Sequence, residues 1–213
     1  MLRSIGQFLV VLIFAAEGAL SQDCDRSPLI LDLNGDGIRT SDALEPVWFD
    51  IDGDGLAERV AWTNPMTMEA FLWLDSNRNG LVDGGRELFG DATLLPWGTP
   101  AANGFEALRQ YDALSAGGND DAMLSSADAV WPFLKTWIDS DHDAISTPDE
   151  VRPLVSWHID RIDLDYFEVP PARQMDGNGN FHRFRSYFDF RVRGEGSISD
   201  RHMIDDVFLR IVH

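Results

Sequence analysis

Cysteine is almost missing from this chain: Cys24 is the only one in 213 residues, so no disulfide can close within it. Basic residues are scarce. Lys and Arg number 17 against 36 Asp and Glu, a formal net charge of −19. Nucleic-acid phosphates and anionic membrane surfaces both call for a basic face, so neither is expected as a partner. Catalytic signatures are missing too. The sequence holds no HExxH or CxxC, and its histidines (His142, His158, His182, His202, His213) are scattered, which leaves no zinc signature. GxSxG, the phosphate-cradling GxxxxGK and a dinucleotide fingerprint are likewise absent.

What is present can build a core. Hydrophobic residues make up 44% of the chain, with seven Trp and thirteen Phe, so the acidity belongs to a folded protein and not to a disordered tail. Self-repulsion must then be diluted by spacing or cancelled by cations. At the N-terminus, Arg3 precedes the apolar run Phe8–Ala16, which is too short to span a bilayer, and the small residues Ala19 and Ser21 follow. Residues 1–21 read as a secretory signal peptide, with an uncleaved anchor as the alternative. The protein is therefore expected to be secreted, extracellular or periplasmic, with no membrane span once residues 1–21 are removed. Without disulfides, such a chain needs another staple.

The remainder divides by composition. Residues 28–156 carry Asp/Asn/Gly stretches between short apolar segments; residues 157–213 alternate. The alternation of Ile162, Leu164 and Tyr166, of Phe188, Phe190 and Val192 against Asp189, Arg191 and Arg193, and of "DVFLRIV" predicts three antiparallel strands, packed on the first region. "DGNGN" (176–180) lies where a hairpin needs positive φ. In the first region "LILDL", "VWFDI" and "FLWLD" predict strands that end in acidic loops. "NGFEALRQY" predicts a helix capped by Asn103. "SSADAVWPFLKTWID" predicts another, with Val130, Phe133, Leu134 and Trp137 on one face and Pro132 in its first turns. The fold class expected is α+β: short strands and helices around the acidic loops, then a small antiparallel sheet.

Those loops carry the chemistry. Calcium takes six to eight oxygens, and an EF-hand loop supplies them at positions 1, 3 and 5, by the carbonyl at 7, often at 9, and bidentately at 12, with Gly at 6. "DSDHDAISTPDE" matches at Asp139, Asp141, Asp143 and Glu150, with the carbonyl from Ile145. Ala144 replaces the turn glycine, which costs strain if φ is positive. Ser146 stands where an apolar residue pairs with a partner loop, a role Ile145 is expected to take one place early. An apolar helical face leads in, and Pro148 can start an exit helix. "DSNRNGLVDGGRE" matches at Asp75, Asn77, Asn79, Leu81 and Asp83. Its closing Glu87 is one residue late, an extra residue that Gly84-Gly85 can absorb. "DIDGDGLAE" offers Asp50, Asp52, Asp54, Leu56 and Glu58 between strands. "DLNGDGIRT" offers Asp32, Asn34 and Asp36, with Asp42 or Glu45 to close. The most eroded stretch offers Asn119, Asp121 and Asp128, with Asp112 reaching in. A single such loop reads equally well as a solvated turn. Five in one chain point to Ca2+ as the cofactor, with 139–150 the strongest, then 75–87, then 50–58.

From Pro28 to the C-terminus the chain resembles the EF-hand-like calcium-binding module of bacterial secreted, RTX-associated proteins. "PLILDLNGDGIRT", "VWFDIDGDGLAERVAW" and, most specifically, "LDSNRNGLVDGGRELFGD" carry the resemblance. The continuation "SSADAVWPFLKTWIDSDHDAISTPDEV" resembles it also. That resemblance implies calcium ligands at the loop positions named and no enzymatic role. The self-processing module of iron-regulated RTX proteins also resembles the first part, and it implies calcium-dependent cleavage of an Asp–Pro bond; this chain has no Asp-Pro dipeptide. The function expected is a secreted, non-enzymatic calcium-binding protein whose loops stabilise the fold. The alternatives are a calcium-dependent self-processing or protease-like module, or a calcium-rigidified adhesion or envelope-binding module, which exposed Trp48, Trp62 or Trp97 would favour. The sequence leaves any protein or glycan partner open.

Overall fold

The computed structural model describes residues 26–191 and 200–212. The signal-peptide segment, Cys24, Val192, Arg193 and His213 lie outside them. The central strand β1 (Leu29–Asp32) pairs antiparallel with β4 (Glu69–Leu74) on one side and β11 (Arg201–Phe208) on the other. From β4 the sheet continues through β6 (Leu134–Trp137) to β7 (Val151–Pro153). From β11 it continues through β10 (Phe181–Phe190) and β8 (Ile159–Asp163) to β5 (Met123–Ser125), while β9 (Phe167–Glu168) joins β10. A separate ribbon is formed by β2 (Val47–Phe49) and β3 (Glu58–Val60).

Period two explains why both faces are buried. On β1, Leu29 and Leu31 point to one core and Ile30 to the other; on β4, Ala70 and Leu72 oppose Phe71 and Trp73. The first face is covered by the one α-helix among the described residues, α1 (Gly104–Arg109), through Phe105, Ala107 and Leu108. The second face is covered by the β2–β3 ribbon and the chain leaving it. There the fully buried Trp62 packs on Phe49, Phe71 and Trp137, with ring centroids 5.0, 4.5 and 5.6 Å away. Each such aromatic contributes about 2–3 kcal/mol by burial. The strands expected at "LILDL", "VWF", "FLWL" and in the alternating C-terminal segments are present, as is the short helix, whose Asn103 Oδ1 accepts from Glu106 N at 2.9 Å.

The α+β expectation is overturned. Among the described residues eleven strands stand against one α-helix, so the fold is mostly antiparallel β. The second expected helix is a 3-10 turn at Trp131–Phe133 followed by β6. The cause lies in the side chains. Leu134 packs into the first core and Trp137 into the second, and residues three apart reach opposite faces only in a strand. Pro132 lacks the N–H that a helix interior needs, and Phe133, expected on the helical face, is 65% exposed. The same finding corrects the flanks of loop 139–150. It is entered from a strand, and β7 rather than a helix leaves it. None of the described helices is long and apolar enough to cross a membrane.

Candidate metal centre

Five acidic loops connect these elements, and they share one backbone trace. Residues four and six places into each EF-hand-type loop have positive φ: Gly35 and Gly37, Gly53 and Gly55, Arg78 and Gly80, His142 and Ala144, and Asp120 and Ala122 in the eroded loop. The first aspartate of each loop nucleates that trace by accepting backbone N–H groups. Asp32 accepts from Gly35 and Gly37 (2.8 and 2.9 Å), and Asp50 from Asp54 and Gly55 (3.0 and 2.9 Å). Asp75 accepts from Gly80 (3.1 Å), and Asp139 from His142, Asp143 and Ala144 (2.8, 3.2 and 2.9 Å). Asp112 does the same for Asp121 and Ala122 (3.2 and 2.9 Å), reaching across a longer insertion.

A second acid closes each loop. Glu150 accepts from Ser140 N at 2.9 Å and from Thr147 N at 3.1 Å. Glu87 occupies the same role despite arriving one residue late, accepting from Ser76 N at 3.0 Å and Asp83 N at 3.1 Å. Glu58 accepts from Ile51 N at 3.1 Å, so the 50–58 loop has its closing acid after all, three places early. Asp128 accepts from Ser125 N at 2.8 Å in the eroded loop. For loop 32 the closing group is neither Asp42 nor Glu45. Buried Glu69, opposite Asp32 in the β1–β4 ladder, accepts from Arg39 N at 3.0 Å, and its other oxygen is buried with no partner. The signal for Glu69 was a charged residue opening an apolar run.

The loops also touch one another. Gly85 N donates to Asp50 O at 2.7 Å, and a Cβ at Gly85 would stand 1.8 Å from Ile51 O, so a glycine is required there for loop contact. Val82 N donates to Ser146 Oγ at 2.8 Å. That bond joins loops 75–87 and 139–150 through the very serine that departs from the pattern. Ile145 does not take the pairing role, because its side chain is 64% exposed. Trp62, named from the sequence only as an exposed contact, is instead fully buried and donates its indole N–H to buried Asp139 at 2.8 Å.

Electrostatics follow from this packing. Burial first, then the carboxylates of Asp52, Asp50 and Asp54, hold Glu58 above the usual carboxylate range. Burial also raises Asp139, and raises Asp128 with help from Asp112 and Asp121. Burial pushes Asp75 up too, but the Lys135 ammonium, 2.9 Å away, more than reverses it. In Glu150, the N–H and hydroxyl groups of Ser140 and Thr147 outweigh burial and leave it low.

Two groups of carboxylates converge among the described residues: Asp50, Asp52, Asp54 and Glu58, and Asp139, Asp141 and Asp143, each with one oxygen per residue within 4.8 Å of the others. Elsewhere amides replace acids. Asn77 and Asn79 both donate to Asp83 Oδ2 (2.6 and 2.7 Å), and Asn119 donates to Asp121 at 2.8 Å. Asn34 accepts from Asp36 N at 3.4 Å, while the Asp36 carboxylate pairs with Arg39 at 2.9 Å. Leu56, Leu81 and Ile145 expose their side chains, which leaves only their carbonyls as loop ligands. The all-oxygen donor set fits a hard divalent cation, and the buried, unpartnered oxygens Asp75 Oδ1 and Asp128 Oδ1 fit it too. The best-gathered set is 50–58 rather than 139–150, whose Asp139 oxygens already accept four N–H groups.

Residues 29–206 match the SPM domain. Over 155 residues the chain is 37% identical to "Iron-regulated protein FrpA" of Neisseria meningitidis serogroup C, a stretch covering 72% of this chain. The chain spans only 13% of that relative's length. This protein belongs to the SPM domain family.

Proposed function

We propose that the protein is a secreted calcium-binding domain that acts by binding rather than by catalysis, with Ca2+ crosslinking its acidic loops. The single observation that carries this reading is the convergence of Asp50, Asp52, Asp54 and Glu58 within 4.8 Å. Four carboxylates at that spacing repel one another, and a divalent cation offsets half of their charge while satisfying their lone pairs. Export agrees with the N-terminal apolar run Phe8–Ala16. By linkage, a ligand held only by the folded chain adds about 2.7 kcal/mol at a hundred times its Kd.

Thermal unfolding with CaCl2 and with EGTA tests this. The expected outcome is a clearly higher Tm in calcium and, by calorimetry, one site lost in Asp52→Ala. An unchanged Tm refutes it. New bands on incubating the protein with calcium would replace binding by self-processing.

A further inference from the structure

We infer that the cleft between β2 and loops 75–87 and 139–150 docks a basic segment of another protein, with a large apolar side chain of that segment inserted between Trp48, Leu81 and Ile145. Those three residues line a cleft of about 490 Å3 and are 65%, 44% and 64% exposed. Its floor is apolar as well, formed by Phe49, Val82 and Ala144, which are buried members of the second core. Large apolar side chains left in water around a concave surface on a rigid floor are what an interaction site requires. The positions are also well fixed. Leu81 and Ile145 follow positive-φ residues whose backbone is tied to Asp75 and Asp139, and the Val82–Ser146 hydrogen bond holds their loops together.

Charge selects the occupant. Asp50 and Asp83 line the cleft, and the loops that flank it add Asp52, Asp54, Asp141 and Asp143. One divalent cation in the 50–58 loop would offset two of its four carboxylate charges, so the rim is acidic with or without it. A second copy of the chain would bring this acidic rim against its own image, at a net charge of −19 per copy. An anionic bilayer is repelled for the same reason. A segment bearing Lys or Arg on either side of a Phe or Leu satisfies both the apolar walls and the rim.

The test is fluorescence anisotropy with fluorescein-labelled Lys-Lys-Phe-Leu-Lys-Lys at physiological salt, in calcium and in EGTA. Binding that depends on Trp48 in either condition supports the inference, so its fate is separate from that of calcium binding. Trp48→Ser and Ile145→Ser alter exposed side chains and are each expected to weaken binding at least about tenfold. Trp97→Ser, at an 86% exposed site outside the cleft, leaves it unchanged. Equal binding by Trp48→Ser, or by Lys-Lys-Gly-Ser-Lys-Lys or Glu-Glu-Phe-Leu-Glu-Glu, overturns the inference. So does a wild-type dimer that Trp48→Ser dissolves, or Trp48-dependent flotation with phosphatidylcholine vesicles.

Discussion

Gly80 and Ala144 occupy equivalent places in two loops, both with positive φ (+84° and +55°), and exchanging the two residue types should not give mirror-image results. A non-glycine residue in the left-handed region costs about 1–2 kcal/mol. Ala144→Gly relieves that strain. It also deletes a methyl group from the second core, where Ala144 is 7% exposed, a loss of about 0.8 kcal/mol. Glycine adds about 0.4–1 kcal/mol of unfolded-state entropy. These contributions cancel to within about 0.5 kcal/mol, so Ala144→Gly is expected to be near neutral. At Gly80 nothing lies within 4 Å of an added Cβ. Gly80→Ala therefore takes on the strain with no packing gain, offset only by the entropy effect, and should cost about 1 kcal/mol. Urea unfolding measures both, and the second should lower Tm by about 2–4 °C. Ala144→Gly stabilising by more than about 1 kcal/mol would refute the claim that the methyl is well packed. A neutral Gly80→Ala would refute the strain argument itself.

Three further outcomes are expected. Burial raises the Asp206 carboxyl to about 7, so its stabilising contribution is present below the ordinary carboxylate value and is lost as pH rises through about 7. Asp206→Asn should flatten the urea midpoint across that window and exceed the wild type above it. His182 lies between Asp176 (3.5 Å) and Asp205 (2.9 Å), which together outweigh burial and raise it to about 9. Its contribution is complete below the ordinary imidazole value and lost as pH rises through about 9, so His182→Gln should cost about 3 kcal/mol at neutral pH and abolish that loss. Trp62→Phe removes the indole donor from buried Asp139 and should cost at least about 2 kcal/mol, read by chemical denaturation.

Much of the loop geometry was legible because Asp, Asn and Gly at alternate places turn a chain and accept its N–H groups. Glu87 and Glu150 were found from spacing alone. Glu69 and Trp62 were not, because they reach their loops across the sheet and the core, and no local pattern records that. The expected helix that proved to be a strand has a related cause. "VWPFLKTW" satisfies a helical period by letters, but two different cores claim Leu134 and Trp137, and only tertiary packing decides between them. Trp48 and Trp97 are exposed, while Trp62, equally aromatic in the sequence, is fully buried.

The pairing of β1 with β11 sets Leu29 against Asp206, nearly the whole described chain apart. Of the described strands, the one at the centre of the sheet is therefore the first to be synthesised, and one of its edges stays open until the last of them, β11, has emerged. Folding of this kind closes a very long loop before the reward arrives, which makes it slow. Removing β11 should leave the central strand half-paired, and with it expose residues from both cores, so the loops at the periphery depend on a strand that none of them contains.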